Sequence, residues 1–199
     1  MTESSLPARS SATPAVSLSS RLFWWIAVCL LTLLAGWGVA HGPVALRRPW
    51  LTSSLMGLGL GAIARWLAGP TQTPLTGLCR TVVAIAAASS VLLLHVEQFR
   101  ILRQTVLAQP SQLRMLIPGA GIEDLLEQAD VTESQRRQYR LATSPTFSDY
   151  LAQRAELLFG ITAAPMAWWG LFGEAGLGAL AAVWGWRWAG SNQPRAVDA

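Results

Sequence analysis

Residues 50–96 read WLTSSLMGLGLGAIARWLAGPTQTPLTGLCRTVVAIAAASSVLLLHV. Two apolar runs, one from Trp50 to Gly69 and one from Arg80 to Val96, flank the polar turn GPTQTPLTG. At a rise of ~1.5 Å per residue, each run is long enough to cross a hydrocarbon layer about 30 Å thick. Small residues recur at every fourth position: Ser53, Gly57 and Gly61 on the first run, then Ala84 and Ala88, and Ala86 and Ser90, on the second. That spacing lines small side chains along one helix face. Two backbones then approach closely in lipid, where van der Waals packing drives association. The stretch predicts a tight helical hairpin whose packing residues are Ser53, Gly57, Gly61, Ala84 and Ala88, with Leu58 and Leu60 on other faces.

Outward from the hairpin, the same logic covers most of the chain. Residues 1–20 are rich in Ser, Pro, Thr and Ala with almost no large apolar side chain, and are expected to be a disordered tail. A first span follows from about Leu22 to Ala40. Gly38-Val39-Ala40 has the small residues of a signal-peptide cleavage site. An apolar run of roughly 19 residues exceeds the ~7–15 of such peptides, however, so an uncleaved span is expected. Pro43 and Pro49 stop helix continuation before the hairpin. Its GxxxGxxxR pattern is similar to hairpins of many small bacterial membrane proteins and brings no family or activity with it.

Beyond Val96 the third helix continues in polar form towards Pro110, with Arg100 and Arg103 at headgroup level. Residues 97–160 form the one sizeable polar segment. Ile122, Leu125, Leu126 and Ala129 give an i, i+3, i+4, i+7 stripe, and Thr132 with Gln135 makes a capping box. After Ser144-Pro145, Thr146 caps a helix whose Phe147, Tyr150, Leu151, Ala155 and Leu158 share a face. Pro165 opens a last span, within 161–189, and 190–199 is a tail. The expected architecture is all-α: an integral membrane protein with four transmembrane helices and a helical insert of roughly 60 residues between the third and fourth. Residues 21–96 hold the first three spans, including the hairpin. Both termini then lie on one side and the insert on the other.

Composition narrows function mainly by exclusion. Apolar residues make up 52% of the chain and charged ones 13%, which is too greasy for a small soluble domain. All fifteen basic residues are arginine, a bias that reads as the codon usage of a GC-rich genome. The net charge of +4 is small and scattered, with no basic stripe, so nucleic-acid binding has no footing. Cys29 and Cys79 lack any CxxC or His/Cys spacing and read as apolar packers. All ten tryptophans, Trp24, Trp25, Trp37, Trp50, Trp66, Trp168, Trp169, Trp184, Trp186 and Trp188, fall near span ends, where an indole settles at headgroup depth. Span-flanking arginines divide evenly between the two sides, so the positive-inside rule leaves orientation open. Cytoplasmic termini are expected because translocating an arginine-bearing, uncleaved N-terminal tail is the less usual route.

Glu174 is the sharpest candidate site residue. It lies about 8 Å below one membrane surface at ~1.5 Å per residue, where a carboxylate must protonate or find a partner. Its own helix offers none, since Gly170, Leu171, Leu177 and Gly178 occupy the adjacent turn positions. His95, His41 and Glu97 fall near the same surface and are the other intramembrane polar candidates. Arg65 and Arg80 approach from the opposite surface and read as snorkelling to headgroups. Glu123, Glu127 and Asp130 share a face, but Arg136, Arg137 and Arg140 follow to neutralise them. No close-spaced ligand pair, nucleophile elbow or phosphate loop is present, so no catalytic residue, metal or cofactor is expected. The leading expectation is a non-catalytic scaffold or accessory subunit in the bacterial inner membrane, with the lipid bilayer, another membrane protein or a second copy as partner. A small oligomeric transporter or channel component with a proton or cation site at Glu174 is the alternative. A membrane enzyme using His95, Glu97 and Glu174 is the third reading.

Overall fold

The computed structural model describes residues 18–43, 48, 50–71, 73, 76–108, 132–160 and 164–191. Among these the chain forms six helices and no strand: α1 (Leu18–His41), α2 (Leu51–Ala68), α3 (Gly77–Ala108), α4 (Glu133–Thr143), α5 (Phe147–Phe159) and α6 (Ala164–Ser191). Four of them, α1, α2, α3 and α6, are long and apolar enough to cross a membrane. The expected stripe at Ile122, Leu125, Leu126 and Ala129, and the acids Glu123, Glu127 and Asp130, lie outside the described residues. So does the side chain of Leu158.

The four long helices run alternately up and down, and glycines decide which pairs touch. α2 packs chiefly on α6. A Cβ at Gly57 would collide with the Gly178 carbonyl, and one at Gly61 with the Ala182 carbonyl. From the other side, a Cβ at Gly185 would collide with the Leu58 carbonyl. The expected hairpin is therefore corrected in its partner: the Ser53/Gly57/Gly61 face closes on the last helix, not on the third. Gly178, Ala182 and Gly185 form a complementary small face on α6, while the buried face of α3 carries Val83, Ala87, Ser90, Val91 and Leu94. Ala84 and Ala88 are only partly buried. Leu60, expected on an indifferent face, is buried in the core. α1 joins through α3, where a Cβ at Gly36 would meet the Ser90 carbonyl at 2.7 Å.

One end of the bundle is filled by Trp24, Val28, Leu60, Ala64, Ala68, Cys79, Val83, Ala182 and Trp186. Two tryptophans thereby depart from the headgroup reading. Trp24 is fully buried and donates its indole N–H to the Ala64 carbonyl at 2.9 Å, and Trp186 meets it edge-on at 6.3 Å. An indole buried at a bundle end satisfies its one donor internally and needs no interface. Seven others (Trp37, Trp50, Trp66, Trp168, Trp169, Trp184 and Trp188) are exposed.

At the opposite end, α5 folds back onto the bundle and α4 packs on α5. Thr132 and Gln135 form a reciprocal capping box on α4, and the Thr146 hydroxyl caps α5 by accepting from the Asp149 N–H at 3.2 Å. Arg137–Glu156 at 2.9 Å and Arg140–Asp149 at 3.2 Å tie the two helices together. Leu151, Ala152 and Ala155 bury against Ala167 and Leu171 of α6. Phe147 bridges Phe99 of α3 and Trp168 of α6, at ring separations of 5.4 and 5.8 Å. α5 thus caps the bundle over the first turns of α6.

Candidate functional site

Four helices bring polar side chains together under this cap. Ser53 stands in the first turn of α2, His95 deep in α3, Tyr150 and Arg154 one turn apart on α5, and Glu174 in the third turn of α6. Glu174 is 3% exposed and His95 1%, so both are removed from any solvent. A carboxylate in such surroundings persists only where donors surround it. Here they do. His95 Nε2 lies 3.1 Å from Glu174 Oε2, and the Ser53 hydroxyl donates to the same oxygen at 3.4 Å. Arg154 Nη2 donates to both carboxylate oxygens, at 3.2 and 3.3 Å.

The other face of the imidazole is also engaged. His95 Nδ1 lies 3.3 Å from the Tyr150 hydroxyl, which donates to Gln98 Oε1 at 2.8 Å. A hydrogen-bonded chain therefore runs Ser53–Glu174–His95–Tyr150–Gln98 across α2, α6, α3 and α5, with Arg154 supplying a countercharge. An imidazole bonded at both nitrogens can accept a proton on one and release it from the other, so the chain is able in principle to hold charge or pass a proton. Beside it lies a cavity of about 10 Å³ lined by His95, Arg154, Glu174, Leu151, Ala155, Ala167 and Leu171. That is about the space of one water molecule. Arg154 Nε is buried and has no hydrogen-bond partner among the described residues.

Of the residues singled out from the sequence, Glu174 and His95 meet, while His41 and Glu97 stand apart. His41 is exposed at the end of α1, donates from Nδ1 to its own helix at the Trp37 carbonyl (3.0 Å) and stacks on the Trp37 ring. Glu97 lies 3.7 Å from Arg100, one turn along α3. Arg65 remains at the far end, its guanidinium 5.9 Å from the Trp186 ring. Among the described residues, no three His, Cys, Asp or Glu side chains converge as a metal site would require.

Sequence reasoning missed Arg154, Tyr150 and Gln98, and it gave Ser53 a packing role only. A signal for the first two existed. Tyr150 and Arg154 fall at i and i+4 within the apolar stripe of α5, and an arginine embedded in an apolar stripe needs a buried acid. Comparison with known protein families, characterised proteins and solved structures returned no match.

Proposed function

We propose that this chain is an integral, multi-pass membrane protein that acts without catalysis, as a scaffold or accessory subunit of a membrane assembly. In it, the Glu174 cluster clamps the α4–α5 cap to the four-helix bundle. The observation that carries the reading is the origin of Glu174's donors. Ser53, His95 and Arg154 come from three other helices, and the adjoining cavity of about 10 Å³ has no room for an organic substrate or a hydrated cation. An acid whose bonds are met by its own protein is arranged to fix geometry.

Membrane insertion is supported by the outward side chains. Leu22, Phe23, Ile26, Leu30, Leu33 and Leu34 of α1 are exposed, as are Ile85 of α3 and Phe172 and Leu180 of α6. A bundle showing this much apolar surface is at rest in lipid and would aggregate in water. The spans alternate, so the termini share one side of the cell membrane and the insert occupies the other. Neighbouring membrane proteins or further copies would then meet the exposed helix faces or the outer surface of the cap.

The hydrogen-bonded chain through His95 favours one second reading, a proton or cation site in a small oligomeric transporter or channel component. Proton flux separates the two. With purified protein in sealed vesicles, the clamp reading expects no flux above that of empty vesicles, and pull-down from solubilised membranes is expected to recover a partner. A flux abolished by Glu174→Gln in a protein of unchanged abundance and fold would establish the second reading instead.

A further inference from the structure

Counted along the sequence, the net charge of +4 reduces to four arginines on the long helices. By sequence alone, residues 42–50 and 97–174 carry nine arginines and nine carboxylates. Residues 1–17 hold Glu3 and Arg9, and residues 192–199 hold Arg195 and Asp198, so each tail balances. What remains is Arg21, Arg65, Arg80 and Arg187, which together account for the whole +4. Each comes from a different long helix, α1, α2, α3 and α6 in turn.

These four sit at one level of the bundle. Trp24, Ala64, Cys79 and Trp186 belong to a single buried cluster, and each arginine lies within three positions of one of them on its own helix. At ~1.5 Å rise per residue, that places all four within about 5 Å of the cluster's level. Arg21 and Arg187 are exposed and Arg65 and Arg80 partly so. Arg65 lies over the Trp186 ring and beneath Gly190, which keeps its guanidinium at the end of the bundle. Arg80 Nε is buried with no partner among the described residues. Exposed Trp66, Trp184 and Trp188 stand on the same end, where indoles mark headgroup depth. No acid lies at this end among the described residues.

We propose that this uncapped end is a binding surface for anionic phospholipid headgroups, with Arg21, Arg65, Arg80 and Arg187 contacting their phosphates. The proposal rests on the membrane-spanning reading above. The charge complementarity is direct: a guanidinium pairs with phosphate through parallel N–H donors, and tryptophans beside it hold the glycerol level. Among the described residues at the capped end, Arg100, Arg137, Arg140 and Arg154 each stand beside an acid, so these guanidinium groups are already engaged. The uncapped end therefore faces the leaflet richer in anionic lipid.

The test uses the full chain in vesicles of phosphatidylcholine alone or with an equal amount of phosphatidylglycerol, followed by mass measurement of the lipids retained on the extracted protein. Phosphatidylglycerol is expected to be retained in preference, and that preference should weaken with added salt. It should fall about fivefold for each arginine removed in Arg80→Gln/Arg187→Gln. Arg21→Gln/Arg187→Gln changes exposed side chains only and serves if the first pair fails to fold. Arg100→Gln/Arg103→Gln, at the capped end, should leave the preference intact. Equal retention of both lipids, an equal loss in the capped-end variant, or displacement of the lipid by inorganic phosphate alone would overturn the proposal. Resistance to alkaline carbonate extraction tests the spanning reading separately, so a carbonate-resistant protein without lipid preference would overturn only the headgroup site.

Discussion

At the scale of single residues, Glu174 and Arg154 define the site. Removing one partner of a buried, hydrogen-bonded charge pair leaves the other uncompensated, at a cost on the order of 3 kcal/mol. Glu174→Ala and Arg154→Ala are each expected to lower stability in detergent by about that amount. The double variant should cost scarcely more than either single change, because each single change already forfeits the pair. Additive losses in chemical or thermal unfolding would show that the two side chains act independently. Glu174→Gln keeps an acceptor and should be milder than Glu174→Ala, the difference being about 1 kcal/mol, the worth of an ordinary hydrogen bond. Glu174 was legible in the sequence because a carboxylate flanked by apolar turns carries a visible penalty. His95 was legible because it stands at matching depth on another apolar run. Arg154 was only half legible: its place four residues after Tyr150 in the apolar stripe of α5 marks it as turned inward, but the acid it meets depends on how α5 docks on α6, which no local pattern gives.

At the scale of elements, the four long helices follow from run length and composition, and their limits differ from expectation by only a few residues. The pairing of those helices does not follow. Small residues at fourfold spacing occur on α2, on α3 and on α6, so the stripe on α2 has two complementary faces to choose from. Close approach needs two backbones without intervening side chains, and α6 gives that with Gly178 against Gly57, Ala182 against Gly61 and Gly185 against Leu58. Gly57→Leu or Gly61→Leu should therefore disrupt the α2–α6 contact, costing about 1–3 kcal/mol or more by overpacking. Leu55→Ala, on an exposed position of the same helix, should be nearly silent. Ala84→Leu and Ala88→Leu on α3 are expected to be far milder than either glycine change. Comparable losses of thermal stability at Ala84 and Gly57 would return the packing role to the hairpin. The tryptophans teach a related lesson. An indole near a span end reads the same whether it faces headgroups or, like Trp24, fills the end of a bundle and bonds a neighbouring helix.

At the scale of the whole molecule, the bundle has two unlike ends. One is closed by α5 over a neutralised acid; the other carries Arg21, Arg65, Arg80 and Arg187, with no acid among the described residues there. With alternating spans, reporter fusions after Ser20 and at Ala199 should fall on one side of the membrane and a fusion at Pro110 on the other. Opposite sides for the two terminal fusions would remove one span from the account. The cap is the part whose placement depends on Glu174, and amide hydrogen exchange on the full chain in membrane vesicles reads it directly. In the wild type, residues 147–157 should exchange slowly, at rates approaching those of the long helices. In Glu174→Ala, that protection should be lost while α1 and α2 remain protected. Fast exchange over 147–157 in the wild type, or protection there that is unchanged by Glu174→Ala, would contradict the claim that this carboxylate clamps the cap to the bundle.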